Sequence, residues 1–338
     1  MIPVRSRSVA DGRGWVRTTS SSFLLVTMGA ALWGTDPLFR FGLALHMAAP
    51  AIVLVEQALP LPFVAQPLWR GLRRAATQFS LQDWGSLLLV GAGASTLATL
   101  LFTQAFTFGS PTTPILLQQL QPLFAVSGAR MLLGERLQPR YGLYLVAALS
   151  GGYLIAFADP ARVTLAGGLG AAMAVCAAAL WGMGTVFGRR LLGRLSFGEL
   201  TGLRLALGAV AAAVVVGLTG TYRAYFDLGG RAVLSLALLA LVPGLLSLLI
   251  YYRGLRGTPA AAATLAELAF PLTALLVGYV ALHAALTASQ WLGVLVLTGT
   301  ITAMGLLRSR GTLTGVEVPM VAVDATAAGS RGPETAVM

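Results

Sequence analysis

Apolar residues in this chain fall into blocks of about 20, separated by short polar turns, and that spacing limits the fold more than any other feature. A helix of that length crosses ~30 Å of hydrocarbon. Backbone groups in lipid must bond within their own segment, and the blocks lack the period-2 alternation of barrel strands, so each reads as a helix. The blocks predict ten transmembrane helices, at about 22 to 41, 48 to 68, 84 to 105, 112 to 133, 139 to 158, 167 to 188, 197 to 217, 232 to 252, 259 to 280 and 288 to 307. With 57% hydrophobic and only 10% charged residues, the chain cannot cover a soluble surface with polar groups.

The net charge of +11 raises the question of a nucleic-acid partner, which the positions of the basic residues answer. All 23 are Arg, and with the N-terminus in the cytoplasm eighteen fall in inner loops and tails, four outside and one within a span. That asymmetry is the positive-inside rule; it excludes nucleic acid and places both termini in the cytoplasm of an inner-membrane protein. The basic segment before Phe23 resembles a signal peptide, but the apolar run continues through Trp33 and Pro37 without a small-residue cleavage site, so it reads as the first span. Residues 1 to 20 and 309 to 338, rich in Ser, Thr, Gly and charge, read as disordered cytoplasmic tails. The single cysteine, Cys176, allows no internal disulfide and reads as a packing residue.

The two halves of the chain align with each other at a period of about 148 residues. Ala31-Leu32-Trp33-Gly34 matches Ala179-Leu180-Trp181-Gly182, and Gly109-Ser110-Pro111 matches Gly257-Thr258-Pro259. After a one-residue slip, Leu120-Gln121-Pro122-Leu123 matches Ala269-Phe270-Pro271-Leu272. Five spans per half is odd, so the second copy enters the membrane from the opposite side. The predicted fold is therefore an all-α integral membrane protein of two inverted five-helix repeats, residues 21 to 158 and 159 to 308, as in secondary carriers.

These motifs, with Leu133-Gly134-Glu135-Arg136-Leu137 after the fourth span, resemble the EamA family of the drug/metabolite transporter superfamily over residues 22 to 307. The resemblance implies ten helices in two inverted repeats, a cavity lined by helices 1, 3, 4, 6, 8 and 9, and transport of amino acids, amines or other small organic metabolites, often as export. The chain departs from the family pattern in two places. Ala284 stands where the second repeat should carry an acid like Glu135, and Glu56 stands where the second helix should carry an Arg like Arg204.

Ionisable groups inside spans are costly and mark the candidate site: Asp36, Arg40, Glu56, Arg204 and Glu267. Counting from the span ends predicts two charge clusters, one on each side of the midplane. Arg204 and Glu267 read either as a substrate or proton site or as a structural pair between helices 7 and 9. Asp36 and Arg40, at i and i+4, neutralise each other with Arg40 snorkelling outward; Glu56 is either paired with Arg40 or protonated. Gln118 and Gln121 share a helix face, Gln118 occupies the repeat position of Glu267, and Pro122 and Pro271 should bend their helices beside these groups. Trp33 and Trp181, too deep for an interfacial belt, wall the cavity or pack in the core. Gln104, Tyr251 and Tyr252 read as interface anchors, and His46 and His283 as boundary residues without metal-ligand spacing.

The leading function is a secondary carrier with a midplane cavity, proton-coupled if Glu56 or Glu267 titrates near neutral pH, with a small-molecule substrate, the lipid bilayer as partner, no cofactor, and a homodimer left open. A receptor or scaffold and a sugar or sugar-phosphate carrier are the alternatives. An enzyme is disfavoured because two His and one Cys assemble no catalytic set.

Overall fold

The computed structural model describes residues 20–108, 112–135, 141–157, 159–161, 168–226, 228–281 and 285–309. The predicted tails lie outside these residues except for Ser20, which starts α1, and Ser309, which ends α16; His283 and Ala284 also lie outside. Among the described residues every regular element is helical. The helices are α1 (Ser20–Trp33), α2 (Asp36–Ala44), α3 (Ala49–Ala58), α4 (Ala65–Gln78), α5 (Leu81–Leu88), α6 (Ala98–Ala105), α7 (Thr112–Gln118) and α8 (Gln121–Leu133) in the first half. Next come α9 (Tyr141–Ala156), α10 (Gly168–Leu191), α11 (Phe197–Thr219), α12 (Gly230–Leu239), α13 (Ser247–Leu255), α14 (Ala260–Ala266), α15 (Ala269–Ala281) and α16 (Ala288–Ser309).

Seven helical stretches among the described residues are long and apolar enough to cross a membrane: Ala49–Gln78, Leu81–Ala105, Gly168–Leu191, Phe197–Thr219, Gly230–Leu255, Ala260–Ala281 and Ala288–Leu307. Tyr141–Ala156 is a shorter apolar helix. Large apolar side chains such as Leu143, Val146, Val210, Val214, Leu218 and Leu295 are exposed on the outer surface of the bundle, as a lipid-facing wall requires.

The helices are less regular than their sequence suggests. The second was expected to stop near residue 68 but, after a turn at Leu59–Pro60 and a 3-10 stretch Leu61–Val64, runs on to Gln78, because Arg70, Arg73 and Arg74 are good helix formers. Turns at Gly34–Thr35, Gln119–Leu120 and Glu267–Leu268 divide three rods. Pro37, Pro122 and Pro271 follow these turns, and since proline provides no N–H to the preceding turn, the bends expected at Pro122 and Pro271 become breaks, and Pro37 makes a third that was not expected. The third and eighth predicted spans contain π-helical stretches instead, Leu89–Leu97 and Ala240–Leu246. The first holds Gly91 and Gly93 and the second Pro243 and Gly244. Within the first, Ser95 Oγ bonds the Val90 oxygen five residues back at 3.2 Å; just after the second, Ser247 Oγ bonds the Pro243 oxygen four residues back.

At one end of the bundle, rich in arginine, paired S-x-x-acid capping boxes start α5 and α11: Ser80 with Asp83, and Ser196 with Glu199. The buried carboxylates also hold arginines from other helices, Arg74 Nη1 lying 3.0 Å from Glu199 and Arg194 bonding Asp83. At the far end Tyr225 donates to the Ala51 carbonyl at 2.8 Å, and its partial burial raises the phenol pKa above the ordinary value.

Contacts between the halves are reciprocal. α1 packs along α13 and against α14 and α15, while α10 packs along α6 and the first π stretch and against α7 and α8. The Trp-Gly motif accounts for this. A Cβ on Gly34 would lie 2.5 Å from Thr273 Cβ and 2.7 Å from the Phe270 carbonyl oxygen, and one on Gly182 would lie 2.7 Å from the Gln121 oxygen and 2.9 Å from the Ala125 nitrogen. Each glycine thus docks one half's helix onto the backbone that follows the other half's break. Gly34→Ala and Gly182→Ala are each expected to destabilise the protein by about 2–3 kcal/mol, since backbone cannot move aside as a side chain can. Gly142→Ala, with nothing within 4 Å, should be neutral. Thermal unfolding in nanodiscs measures all three, and equal melting of Gly34→Ala, Gly182→Ala and the parent would remove the docking claim.

Candidate functional site

The three broken rods and two π stretches converge on one cavity of about 580 Å³. Its lining includes Trp33, Asp36, Arg40, Glu56, Gln118, Gln121, Pro122, Trp181, Arg204, Glu267 and Pro271, so every candidate residue picked out by sequence faces the same space. The lining is wider than expected: α3 contributes Glu56 and Gln57, α9 contributes Ile155 and Ala156, and α11 contributes Arg204 and Leu205. At the arginine-rich end the cavity is closed by α14, all seven residues of which are buried. At the far end its walls rise to half-exposed or exposed residues, Asp36, Arg40, Thr103 and Phe106.

Three hydrogen-bonded sets organise the polar lining, in place of the two charge clusters expected. In the first, Arg40 Nε and Nη2 each lie 2.6 Å from an Asp36 carboxylate oxygen, and Nη2 also lies 2.6 Å from Glu56 Oε2. The i, i+4 pairing and the Arg40–Glu56 pairing are both present, but Arg40 does not snorkel outward. Two carboxylates hold it against the wall, Asp36 from its own helix and Glu56 from α3.

The second set surrounds Glu267, at the break between α14 and α15. Its Oε1 accepts from Tyr251 Oη at 2.6 Å and Thr185 Oγ1 at 2.8 Å, and its Oε2 accepts from Gln121 Nε2 at 2.8 Å. Four helices therefore meet on one carboxylate. In the third set, Arg204 Nε donates to Ser95 Oγ at 2.7 Å and Nη1 to Tyr252 Oη at 2.8 Å. Arg204 and Glu267 are not directly paired. Tyr251 and Tyr252, rings 5.3 Å apart, stand between their two sets.

Tyr251 and Tyr252 correct the boundary-anchor reading, being 2% and 0% exposed and bonded to the two charges. The cause is depth of packing: α1 lies along α13 and covers the residues that hydropathy puts near a span end. A usable signal was present, since Gly244, Leu248, Tyr251, Tyr252 and Leu255 fall at helical spacing on one buried face. Thr185 and Ser95 carried no signal, as single hydroxyls in apolar helices are common. Cys176, expected to pack inside, is exposed. His46 is exposed in the turn after α2.

Aromatic rings complete the walls. Trp33 leans on Tyr251 with centroids 4.8 Å apart, and Trp181 meets Phe102 edge-on at 5.3 Å. Phe106 and Phe270 add two more rings. Two buried lining atoms, Gln57 Oε1 and Thr264 Oγ1, have no hydrogen-bond partner within the protein.

This geometry is that of a pore-sized chamber between two reciprocally docked halves, and the comparisons agree with it. A riboflavin transporter of Fusobacterium nucleatum is 30% identical over 205 residues, which are 59% of this chain and 69% of that protein. A crystal structure of a protein 22% identical in sequence matches the fold with a TM-score of 0.67, covering 86% of this chain and 99% of its own. The model of the EamA-like transporter family matches twice, over residues 20–157 and 168–306. This chain is therefore a multi-pass membrane protein that belongs to the EamA-like transporter family.

Proposed function

We propose that this chain is an alternating-access carrier that exports a neutral or positively charged small organic solute in exchange for protons. Ten crossings follow if the seven long rods are joined by Tyr141–Ala156 and by the two broken rods 20–44 and 112–133. The two five-helix halves, residues 21–158 and 159–308, would then run in opposite directions, with the arginine-rich end in the cytoplasm. Their reciprocal docking, α1 on one half's broken rod and α10 on the other's, supports that plan. On this reading the cavity is open to the outside and closed to the cytoplasm.

The observation that carries the substrate assignment is the charge of the lining. Asp36, Glu56 and Glu267 oppose Arg40 and Arg204, a formal charge of −1 with both arginines already engaged. Such a chamber repels phosphates, which need an uncommitted cation, and so disfavours the sugar-phosphate alternative. Glu267 supplies the exchange logic: one carboxylate deep in the cavity can hold a solute ammonium or a proton but not both, so an inward proton gradient would drive the solute outward. A specific observation favours a second reading. The rings of Trp33, Phe102, Phe106, Trp181, Tyr251 and Phe270 suit a flat, uncharged heterocycle, as does the likeness to a protein named for riboflavin.

Counterflow into proteoliposomes separates these readings. Amines, amino acids, riboflavin and a sugar phosphate would each be offered to the purified protein. Accumulation of a cation or zwitterion that collapses when the proton gradient is dissipated supports the first reading. Gradient-independent accumulation of riboflavin supports the second. Movement of the sugar phosphate alone would overturn both.

A further inference from the structure

We propose that Glu135 is the latch that closes the cytoplasmic end of the cavity, a role that rests on the alternating-access reading. Glu135 does not line the cavity. It follows Gly134, whose left-handed conformation (φ 65°) ends α8 and turns the chain toward the other half. There each of its carboxylate oxygens accepts one backbone N–H from the first turn of the Ala260–Ala281 rod: Ala260 N at 2.8 Å and Ala261 N at 3.0 Å. The carboxylate is 1% exposed, so these bonds form away from water and against the positive end of a helix. Tyr141, at the start of α9, donates its hydroxyl to the Ala261 carbonyl and grips the same turn.

The gripped turn is the one that seals the cavity. α14 runs from Glu135's two bonds at its start to Glu267 at its end, where the Glu267 N–H bonds the Ala263 oxygen at 2.9 Å. Opening this end requires α14 to leave α8, and every such path breaks both carboxylate bonds.

The latch can be read without any solute. In a Cys176→Ala background, Thr264→Cys places a thiol at the buried foot of the cavity, nearly isosteric with the threonine and at an atom that makes no hydrogen bond. A membrane-impermeant maleimide is applied to right-side-out and inside-out vesicles containing the full chain. The parent should label from the outer face. Glu135→Gln, which keeps the size but only one accepting oxygen, should raise labelling from the cytoplasmic face about tenfold or more and lower it from the outer face. Glu135→Asp should fall between the two. Unchanged labelling in Glu135→Gln would overturn the latch, and so would faster labelling from both faces, which reports general loosening. Counterflow by the Glu135 variants with Thr264 intact tests the carrier reading separately: a sided shift in labelling without solute movement there supports the latch and removes the carrier.

Discussion

Replacing Glu267 with glutamine is expected to reduce proton-driven counterflow at least about tenfold while leaving the melting temperature nearly unchanged. The amide oxygen can keep the Oε1 role toward Tyr251 and Thr185, and its NH₂ can face Gln121, whose own amide turns over to offer oxygen. The side chain keeps its three partners and loses only its charge and its proton. Glu267→Ala is a different experiment. It leaves the Gln121 amide and one of the two hydroxyls without an acceptor, since Thr185 and Tyr251 can still bond each other at 3.1 Å, at about 1–3 kcal/mol for each group stranded, so its loss of activity would report unfolding. Undiminished, still gradient-dependent flux in Glu267→Gln would rule this carboxylate out as the exchange site.

Arg40→Gln should be the most destabilising change of a single charged residue, by about 3 kcal/mol or more. Two carboxylates, Asp36 and Glu56, converge on Arg40 at 2.6 Å, and removing it leaves like charges facing each other in a half-buried wall. The triple variant Asp36→Asn, Arg40→Gln, Glu56→Gln replaces the ionic set with neutral amides of similar shape and should recover most of the loss. Unfolding in nanodiscs gives both numbers. If Arg40→Gln melts like the parent, the three groups do not bear on one another in the folded protein. If the triple variant is no better than the single, the penalty comes from lost packing of the arginine stem.

The membrane character, and which polar residues would share one cavity, could be read directly from the residues. Every ionisable residue noticed within a span faces the cavity, because lipid leaves a buried charge no other tolerable environment. What could not be read was how those charges combine. Arg204 and Glu267 lie at similar depth, which suggested a pair, yet each is satisfied by a tyrosine whose importance depends on α1 crossing α13. Side-chain partners across helices are set by rotation about each axis, and hydropathy carries no such information. The prolines announced bends beside Gln118 and Glu267. Whether the backbone would break, as it does there, or widen into a π turn, as at Pro243, depends on neighbours able to accept the freed groups. Glu135 stood out only through a family resemblance, and its actual contact is with backbone N–H groups more than 120 residues away.

The embrace of α1 by the second half has a bearing on biosynthesis. Gly29 rests against Tyr251 and Gly34 against Phe270 and Thr273, partners that leave the ribosome more than 200 residues later. At roughly 5–20 residues per second, α1 waits about 10 to 45 seconds in the bilayer with its glycine-notched side turned to lipid. A nascent chain of this kind is vulnerable to wrong pairing from its first helix onward, and the bare notches at Gly29 and Gly34 are where a membrane chaperone would have to shield it.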